Sequence, residues 1–227
     1  MSIENIIPKK GEVWFLWFNR CSGIVLKTPS RTLVFDPAEV NPTIFRKVDA
    51  ILITHEHYDH LDVPLVRSVH GRTGCQVIAD QTSVRKLRDA VSSDKLHAAS
   101  VGSDFKIGEA HIAALGFKHP ATAPVSFLVT TEDGIRIYHT GDSLPFPEMK
   151  RLGEQTPPDV VFCTVGPPAP GASPQTGLEI VEMVHPKMAF PYHAPISEAR
   201  KFADLMSRKT PKVRCAIIEQ GKPFKYP

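Results

Sequence analysis

The stretch 49-DAILITHEHYDHLD-62 determines how this 227-residue sequence is interpreted. An apolar run over 50–53 is followed by three histidines and three carboxylates between positions 55 and 62. A short continuous apolar run is typical of a strand that is covered on both faces. A chain that turns directly after such a strand can aim His55 and His57 at one point, and Asp59 and His60 at a second. The stretch therefore predicts a metal site with nitrogen and oxygen ligands, which suits zinc, iron or manganese.

The main alternative for this stretch is a polar surface loop whose histidines cover the surface or cap a helix. That interpretation suits a single histidine, but three histidines and an aspartate within six residues favour metal binding. The H-E-x-x-H motif of zinc proteases is excluded, because the residue four positions after His55 is Asp59 rather than histidine.

Composition and charge narrow the class of protein. The 42% hydrophobic and 22% charged residues are typical of a globular chain, and the net charge of +3 is compatible with an anionic small-molecule substrate but gives no strong nucleic-acid signal. No signal peptide is evident, and the most apolar run, 13–18, is too short to span a bilayer. The four cysteines are widely spaced, which favours reduced thiols. We therefore expect a cytoplasmic protein without a membrane span, and the sequence leaves its oligomeric state open.

The order of predicted elements indicates the fold class. Strand patterns fill the N-terminal third and the middle of the chain, with Asp133–Gly134 as a hairpin turn, and strands alternate with helices in the last third. Asp62, Ser173 and Ser197 are the predicted N-caps of three helices. No linker or repeat divides the chain, so a single domain over 1–227 is expected, with two sheets and helices on the outside.

Five motifs in sequence order resemble those of the metallo-β-lactamase superfamily. "THEHYDHLD" matches the signature H-x-H-x-D-H, and the other four motifs supply one residue each: "LVFDP" with Asp36, "GFKHPA" with His119, "YHTGDS" with Asp142 and "FPYH" with His193. Together they cover residues 33–193. The resemblance implies a four-layer αββα sandwich of mixed sheets with helices on the outer faces, and a site at one edge between the sheets.

The resemblance also implies a role for each matching residue. The first metal would be held by His55, His57 and His119, and the second by Asp59, His60 and His193. Asp142 would bridge the two metals, so Asp142 and Asp59 are the catalytic candidates. Asp36 would lie behind the ligands and accept a hydrogen bond from a ligand imidazole. That hydrogen bond would fix the tautomer of the imidazole. The implied cofactors are two divalent transition metals. Zinc is the expected metal, and manganese and iron are the alternatives.

The implied reaction is hydrolysis of an ester, lactone or phosphodiester bond of a small, anionic substrate by a metal-bridging hydroxide. Because true β-lactamases of this fold lack the bridging aspartate, Asp142 counts against antibiotic hydrolysis. The chain resembles the small single-domain group that includes L-ascorbate-6-phosphate lactonase. The alternatives are a phosphodiesterase or nuclease acting on nucleotides or nucleic acid, a mononuclear iron dioxygenase of the same fold, and a non-catalytic metal-binding protein.

Two stretches depart from the pattern of that group. "NRCSG" at 19–23 replaces a glycine-histidine-serine stretch, and the proline-rich "VGPPAPGASP" at 165–174 is unusual. The sequence does not decide whether either one borders the pocket. His139 lies inside a motif and is predicted to be a strand residue beside the site rather than a ligand.

Overall fold

The computed structural model describes residues 3–227, with fourteen strands and five α-helices in that range. In chain order the strands are β1 (Val13–Trp17), β2 (Ile24–Lys27), β3 (Thr32–Phe35), β4 (Ala50–Ile53), β5 (Gln76–Asp80), β6 (Leu96–Ala99), β7 (Asp104–Ile107), β8 (Ala110–Leu115), β9 (Ser126–Thr130), β10 (Arg136–His139), β11 (Val160–Thr164), β12 (Met188–Tyr192), β13 (Arg214–Cys215) and β14 (Phe224–Tyr226). The helices are α1 (Val63–Thr73), α2 (Gln81–Leu87), α3 (Glu148–Gln155), α4 (Pro174–Val184) and α5 (Ile196–Lys209).

The strands form two mixed, seven-stranded sheets. The first has the order β14-β1-β2-β3-β4-β5-β6 and the second the order β13-β12-β11-β10-β9-β8-β7. In the first sheet β3 to β6 are parallel neighbours, and in the second β10 to β13 are. The remaining pairs are antiparallel. This arrangement confirms the predicted αββα fold class.

Alternate side chains of the central strands join different apolar clusters, and this shows where the layers meet. In β4, Ala50 and Leu52 face the cluster between the sheets, whereas Ile51 and Ile53 face the cluster under α1 and α2. In the second sheet, β11 divides in the same way between the central cluster and the cluster under α3, α4 and α5. Because strands covered on both faces need apolar side chains at every position, the continuous apolar runs in the sequence follow directly from this layering.

Helix caps follow the sequence prediction at two of three positions. The side chain of Asp62 accepts a hydrogen bond from Leu65 N at 2.9 Å, and Ser173 forms a capping box with Thr176. The prediction for Ser197 is wrong, because the N-cap of α5 is Pro195, which has no side chain able to cap. None of the helices within 3–227 has the length and hydrophobicity needed to cross a membrane.

Candidate metal centre

The loops that follow four strands bring the predicted ligands to one edge of the sandwich. Asp36 follows β3, His55 follows β4, Asp142 follows β10 and His193 follows β12. Because β3 and β4 are parallel, and β10 and β12 belong to one parallel set, their carboxyl ends lie together in each sheet. Val125 N donates a hydrogen bond to Thr54 O at 2.9 Å, and this bond connects the loop after β4 to the residue that precedes β9 in the second sheet.

The first group consists of three imidazoles, His55, His57 and His119, whose nitrogen atoms lie close together. His57 Nδ1 is 3.1 Å from His55 Nε2 and 3.3 Å from His119 Nε2. Nitrogen ligands of a tetrahedral zinc ion, at about 2.0–2.1 Å from the metal, lie about 3.4 Å from one another. The spacing of these three nitrogens therefore fits a shared metal ion.

The second group consists of four residues, all buried: Asp59, His60, Asp142 and His193. His60 Nε2 lies 3.2 Å from Asp142 Oδ2, and His193 Nε2 lies 3.5 Å from Asp59 Oδ2. Within residues 3–227, both Nε2 atoms are buried without a hydrogen-bond partner. Buried polar atoms of this kind usually have a partner, so their orphaned state and their direction fit an ion bound between them.

Asp142 lies between the two groups. Its Oδ2 is 3.2 Å from His60 Nε2 in the second group and 4.0 Å from His119 Nε2 in the first. Its Oδ1 is 2.6 Å from His193 Nδ1, and the side chain is almost fully buried. A single carboxylate in this position can contact ions on both sides.

The buried carboxylate of Asp36 organises ligands of both groups. Its Oδ2 accepts hydrogen bonds from His60 Nδ1 at 2.9 Å and from the Thr54 hydroxyl at 2.9 Å. The Thr54 hydroxyl is in turn 3.0 Å from His55 Nδ1. Because the proton of each imidazole is placed on Nδ1 by these contacts, the lone pair on Nε2 is directed to the centre.

The sequence analysis did not identify Ser22 as part of this network. Its hydroxyl lies 3.0 Å from Asp36 Oδ2 and 2.9 Å from His60 Nδ1. Its backbone oxygen accepts a hydrogen bond from His139 Nε2 at 2.9 Å, so His139 is a buried strand residue beside the site. The only sequence feature that could have indicated this role is a small polar residue within the unusual stretch 19–23. A serine between two strands is also common in ordinary turns, so that feature does not predict a role at the site.

In the metal-free protein, the histidines of the two groups differ in charge. Burial lowers the pKa of His60, but the charges of Asp142 and Asp36 outweigh it and raise that pKa to about 10. Burial also lowers the pKa of His193, but the hydrogen bond to Asp142 and the nearby carboxylate of Asp59 outweigh it and raise that pKa to about 12. Burial and the positive charge of His60 bring the pKa of His55 well below its ordinary value. The second group is therefore held by ion pairs, whereas His55 in the first group offers a neutral imidazole.

Backbone conformation at the centre is uncommon. Asp36 and His193 have positive φ angles of 44° and 50°, a region that non-glycine residues rarely adopt. Gly141 has φ 54°, and a Cβ there would lie 2.8 Å from the Phe117 ring. Such conformations persist where the surrounding structure over-determines them, and they are concentrated at functional sites.

Comparison with known proteins identifies the family of this chain. The family model described as a beta-lactamase superfamily domain matches residues 22–210. A UPF0173 metal-dependent hydrolase from Cupriavidus taiwanensis is 27% identical over 218 residues, which cover 82% of this chain and 76% of that protein. A second one, from Anaeromyxobacter dehalogenans, is 25% identical over 246 residues, with coverage of 96% and 88%.

Solved structures show the same fold. The metallo hydrolase Igni18 from Ignicoccus hospitalis superposes with a TM-score of 0.81 at 19% identity, over 95% of this chain and 99% of that one. The chain belongs to the beta-lactamase superfamily, and it is a metal-dependent hydrolase with a candidate metal site of histidine and aspartate residues.

Proposed function

We propose that this hydrolase binds two divalent transition-metal ions and cleaves an ester, lactone or phosphodiester bond in a small, anionic substrate. The proposal depends chiefly on Asp142, whose Oδ2 lies within 4.0 Å of a nitrogen from each ligand group. His55, His57 and His119 would hold the first ion, and Asp59, His60 and His193 the second, with Asp142 between them. This donor set of imidazoles and carboxylates suits zinc, with manganese or iron as alternatives.

Two bound ions would supply a hydroxide nucleophile at neutral pH and would polarise the oxygen of the scissile bond. The residues of the chain contribute the arrangement around them. Asp36 and Thr54 hold His60 and His55 in the tautomers that leave Nε2 available. The Asp142 carboxylate does the same for His193 through the contact between Oδ1 and Nδ1.

Asp59 is the member of the second group that also faces solvent. Its side chain is 10% exposed and borders an open cleft, whereas the other three side chains of that group are almost completely buried. A carboxylate that reaches both the ligand group and the cleft can accept a proton from water and deliver it to a leaving group on the cleft side. The catalytic role proposed for Asp59 is this proton transfer.

The position of the basic surface favours a small molecule over a nucleic acid. A cavity of about 810 Å³ near the amino ends of β3 and β4, at the opposite edge from Asp142, is bordered by five basic residues: Lys27, Arg31, Arg46, Lys47 and Arg72. A nuclease needs cationic side chains along a path that leads to its metal ions. These residues are on the wrong edge for that purpose.

The central apolar cluster contains residues from both sheets, from Val13 to Tyr226. A shared interior of this kind supports the proposal that 1–227 is a single domain.

Metal content and turnover on a substrate panel test the proposed function. The protein, stripped and then reconstituted separately with zinc, manganese and iron, should hold two metal equivalents per chain. It should hydrolyse at least one of p-nitrophenyl acetate, a γ-lactone and bis(p-nitrophenyl) phosphate, and a chelator should abolish that activity. The exposed His111 on β8 provides a control, since His111→Ala should change neither metal content nor rate. Binding of one iron with no second metal, together with oxygen consumption, would favour the dioxygenase alternative instead.

A further inference from the structure

A cleft of about 430 Å³ opens directly beside Asp59. Both departing stretches of the sequence border it: Arg20 and Cys21 come from 19–23, and Pro167 and Pro168 come from 165–174. Its volume lies within the range of about 300–1,000 Å³ typical of small-molecule sites. Residues from 19–23 and from 165–174 therefore both line the approach to the proposed metal centre.

The cleft has an apolar wall and an aromatic side chain. Pro167, Pro168, Ala194 and Pro195 form the wall, and they carry no side-chain hydrogen-bonding group. Tyr58, which directly precedes Asp59, is 76% exposed and presents its ring to the same space. An exposed tyrosine and rigid prolines in one cleft suit a flat or apolar molecule.

Arg20 supplies the positive charge of the cleft. Its Nε donates to Glu39 Oε2 at 3.1 Å, and its side chain is 81% exposed. Among residues 3–227 its two Nη atoms have no hydrogen-bond partner, so four N–H donors remain available. Glu39 also lines the cleft, and its backbone has a positive φ of 58°. Glu39 therefore pairs with one edge of the Arg20 guanidinium and leaves the other edge of that group available to an anion.

We propose that this cleft is the substrate subsite, and that Arg20 binds an oxyanion, either a phosphate or a carboxylate, that the substrate carries away from its scissile bond. The body of the substrate lies between Tyr58 and the proline wall, so the bond to be cleaved reaches Asp59. The inference rests on the proposed function, and it defines the substrate class as small organic phosphates or carboxylic acids with a flat or apolar body. A guanidinium suits both anions, because its paired donors match two oxygens of either group.

Calorimetric binding of three probes to the metal-loaded protein tests the subsite. Phenyl phosphate and benzoate carry the two oxyanions, and benzyl alcohol is neutral. Arg20→Ala should weaken binding of at least one anionic probe by about tenfold, the lower end for a charge-assisted hydrogen bond in a site open to solvent. Binding of benzyl alcohol should not change. The probe that loses affinity identifies the anion.

Two further variants make the test specific. Arg208 on α5 is also exposed and ion-paired, to Asp204, and it does not line the cleft, so Arg208→Ala should bind all probes like the wild type. Arg20→Lys keeps the charge without the paired donors and should recover part of the lost affinity. Equal affinity of wild type and Arg20→Ala for both anionic probes would overturn the subsite proposal.

Failure of the subsite and failure of the proposed function give different results. If the wild type and Arg20→Ala hydrolyse anionic esters with the same KM while both hold two metals, the function stands and the subsite is wrong. If anion binding depends on Arg20 but no substrate is hydrolysed by metal-loaded wild type, the subsite stands and the hydrolytic proposal is wrong.

Discussion

Replacing Asp36 by asparagine tests how the metal centre is held in place. The side chain is fully buried and accepts four hydrogen bonds: from Thr54 N at 2.8 Å, from the Thr54 hydroxyl at 2.9 Å, from His60 Nδ1 at 2.9 Å and from the Ser22 hydroxyl at 3.0 Å. Asparagine has nearly the same shape, but its amide nitrogen donates where the carboxylate accepted. At least one of these four contacts must therefore be lost or reversed.

The expected loss of stability in Asp36→Asn follows from the contact between Asp36 and His60. Breaking a buried ion pair by removing one partner costs about 3–5 kcal/mol, and hydrogen bonds to Thr54 and Ser22 can recover part of it because asparagine keeps one acceptor oxygen. We expect Asp36→Asn to lower the free energy of unfolding of the metal-free protein by about 3 kcal/mol. Because His60 loses the carboxylate that sets its tautomer, and the Thr54 hydroxyl beside His55 loses the same acceptor, metal affinity should fall by about 10- to 100-fold.

Urea unfolding and competition with a chromophoric chelator measure the two effects. Asp159 offers a matched control, since it is buried and accepts hydrogen bonds from Arg136 N at 2.8 Å and Lys187 Nζ at 2.7 Å, at the opposite edge of the second sheet. Asp159→Asn should lower stability by about 1 kcal/mol and leave metal affinity unchanged. If Asp36→Asn bound metal as tightly as the wild type, the argument that Asp36 sets the ligand tautomers would be refuted.

Four further substitutions test the proposed centre. Asp142→Asn should reduce bound metal and hydrolysis together, and elemental analysis that finds two metals with full activity would remove Asp142 from the site. His57→Ala and Asp59→Ala should each lower the hydrolysis rate on the order of 100-fold or more, because each weakens the hold on one ion and its charge stabilisation, while circular dichroism remains unchanged. Unchanged metal content and rate in both variants would support the surface-loop alternative. Gly141→Ala should lower the free energy of unfolding by about 1–3 kcal/mol, since the residue has φ 54° and its new Cβ would lie 2.8 Å from the Phe117 ring. Thermal unfolding measures that change, and a melting temperature equal to that of the wild type would contradict it.

Local sequence patterns predicted most of the fold because each pattern reflects the burial and backbone geometry of its own residues. The continuous apolar run at 50–53 reports burial on both faces of a parallel strand, and Ser173 followed by Pro174 reports a helix start. The last strand pattern of the sequence, over 213–218, predicts a longer strand than the structure has, since β13 contains only Arg214–Cys215 at the edge of its sheet.

Two edge strands of the first sheet, β6 and β14, were not predicted. The segment containing β14 has prolines on both sides and two lysines, and its residues become a strand only by pairing with β1, where Phe15 lies opposite Phe224. Proline and lysine are common at sheet edges, where one side needs no partner, but the same residues are equally common in loops. Sequence spacing carries no information about a pairing across more than 200 residues.

The sequence by itself determined the fold class and the set of candidate ligands. The motif residues lie within a few positions of a strand end, and a strand end fixes the direction of the residues that directly follow it. Only the tertiary structure decided how these groups relate to one another. Asp142 lies between the imidazoles of two loops, Ser22 contacts Asp36 and His60, and Arg20 lines the same cleft as Asp59. Those relations depend on how two sheets pack against each other. That packing is set by the combined burial of side chains from the whole chain, and no single stretch encodes it.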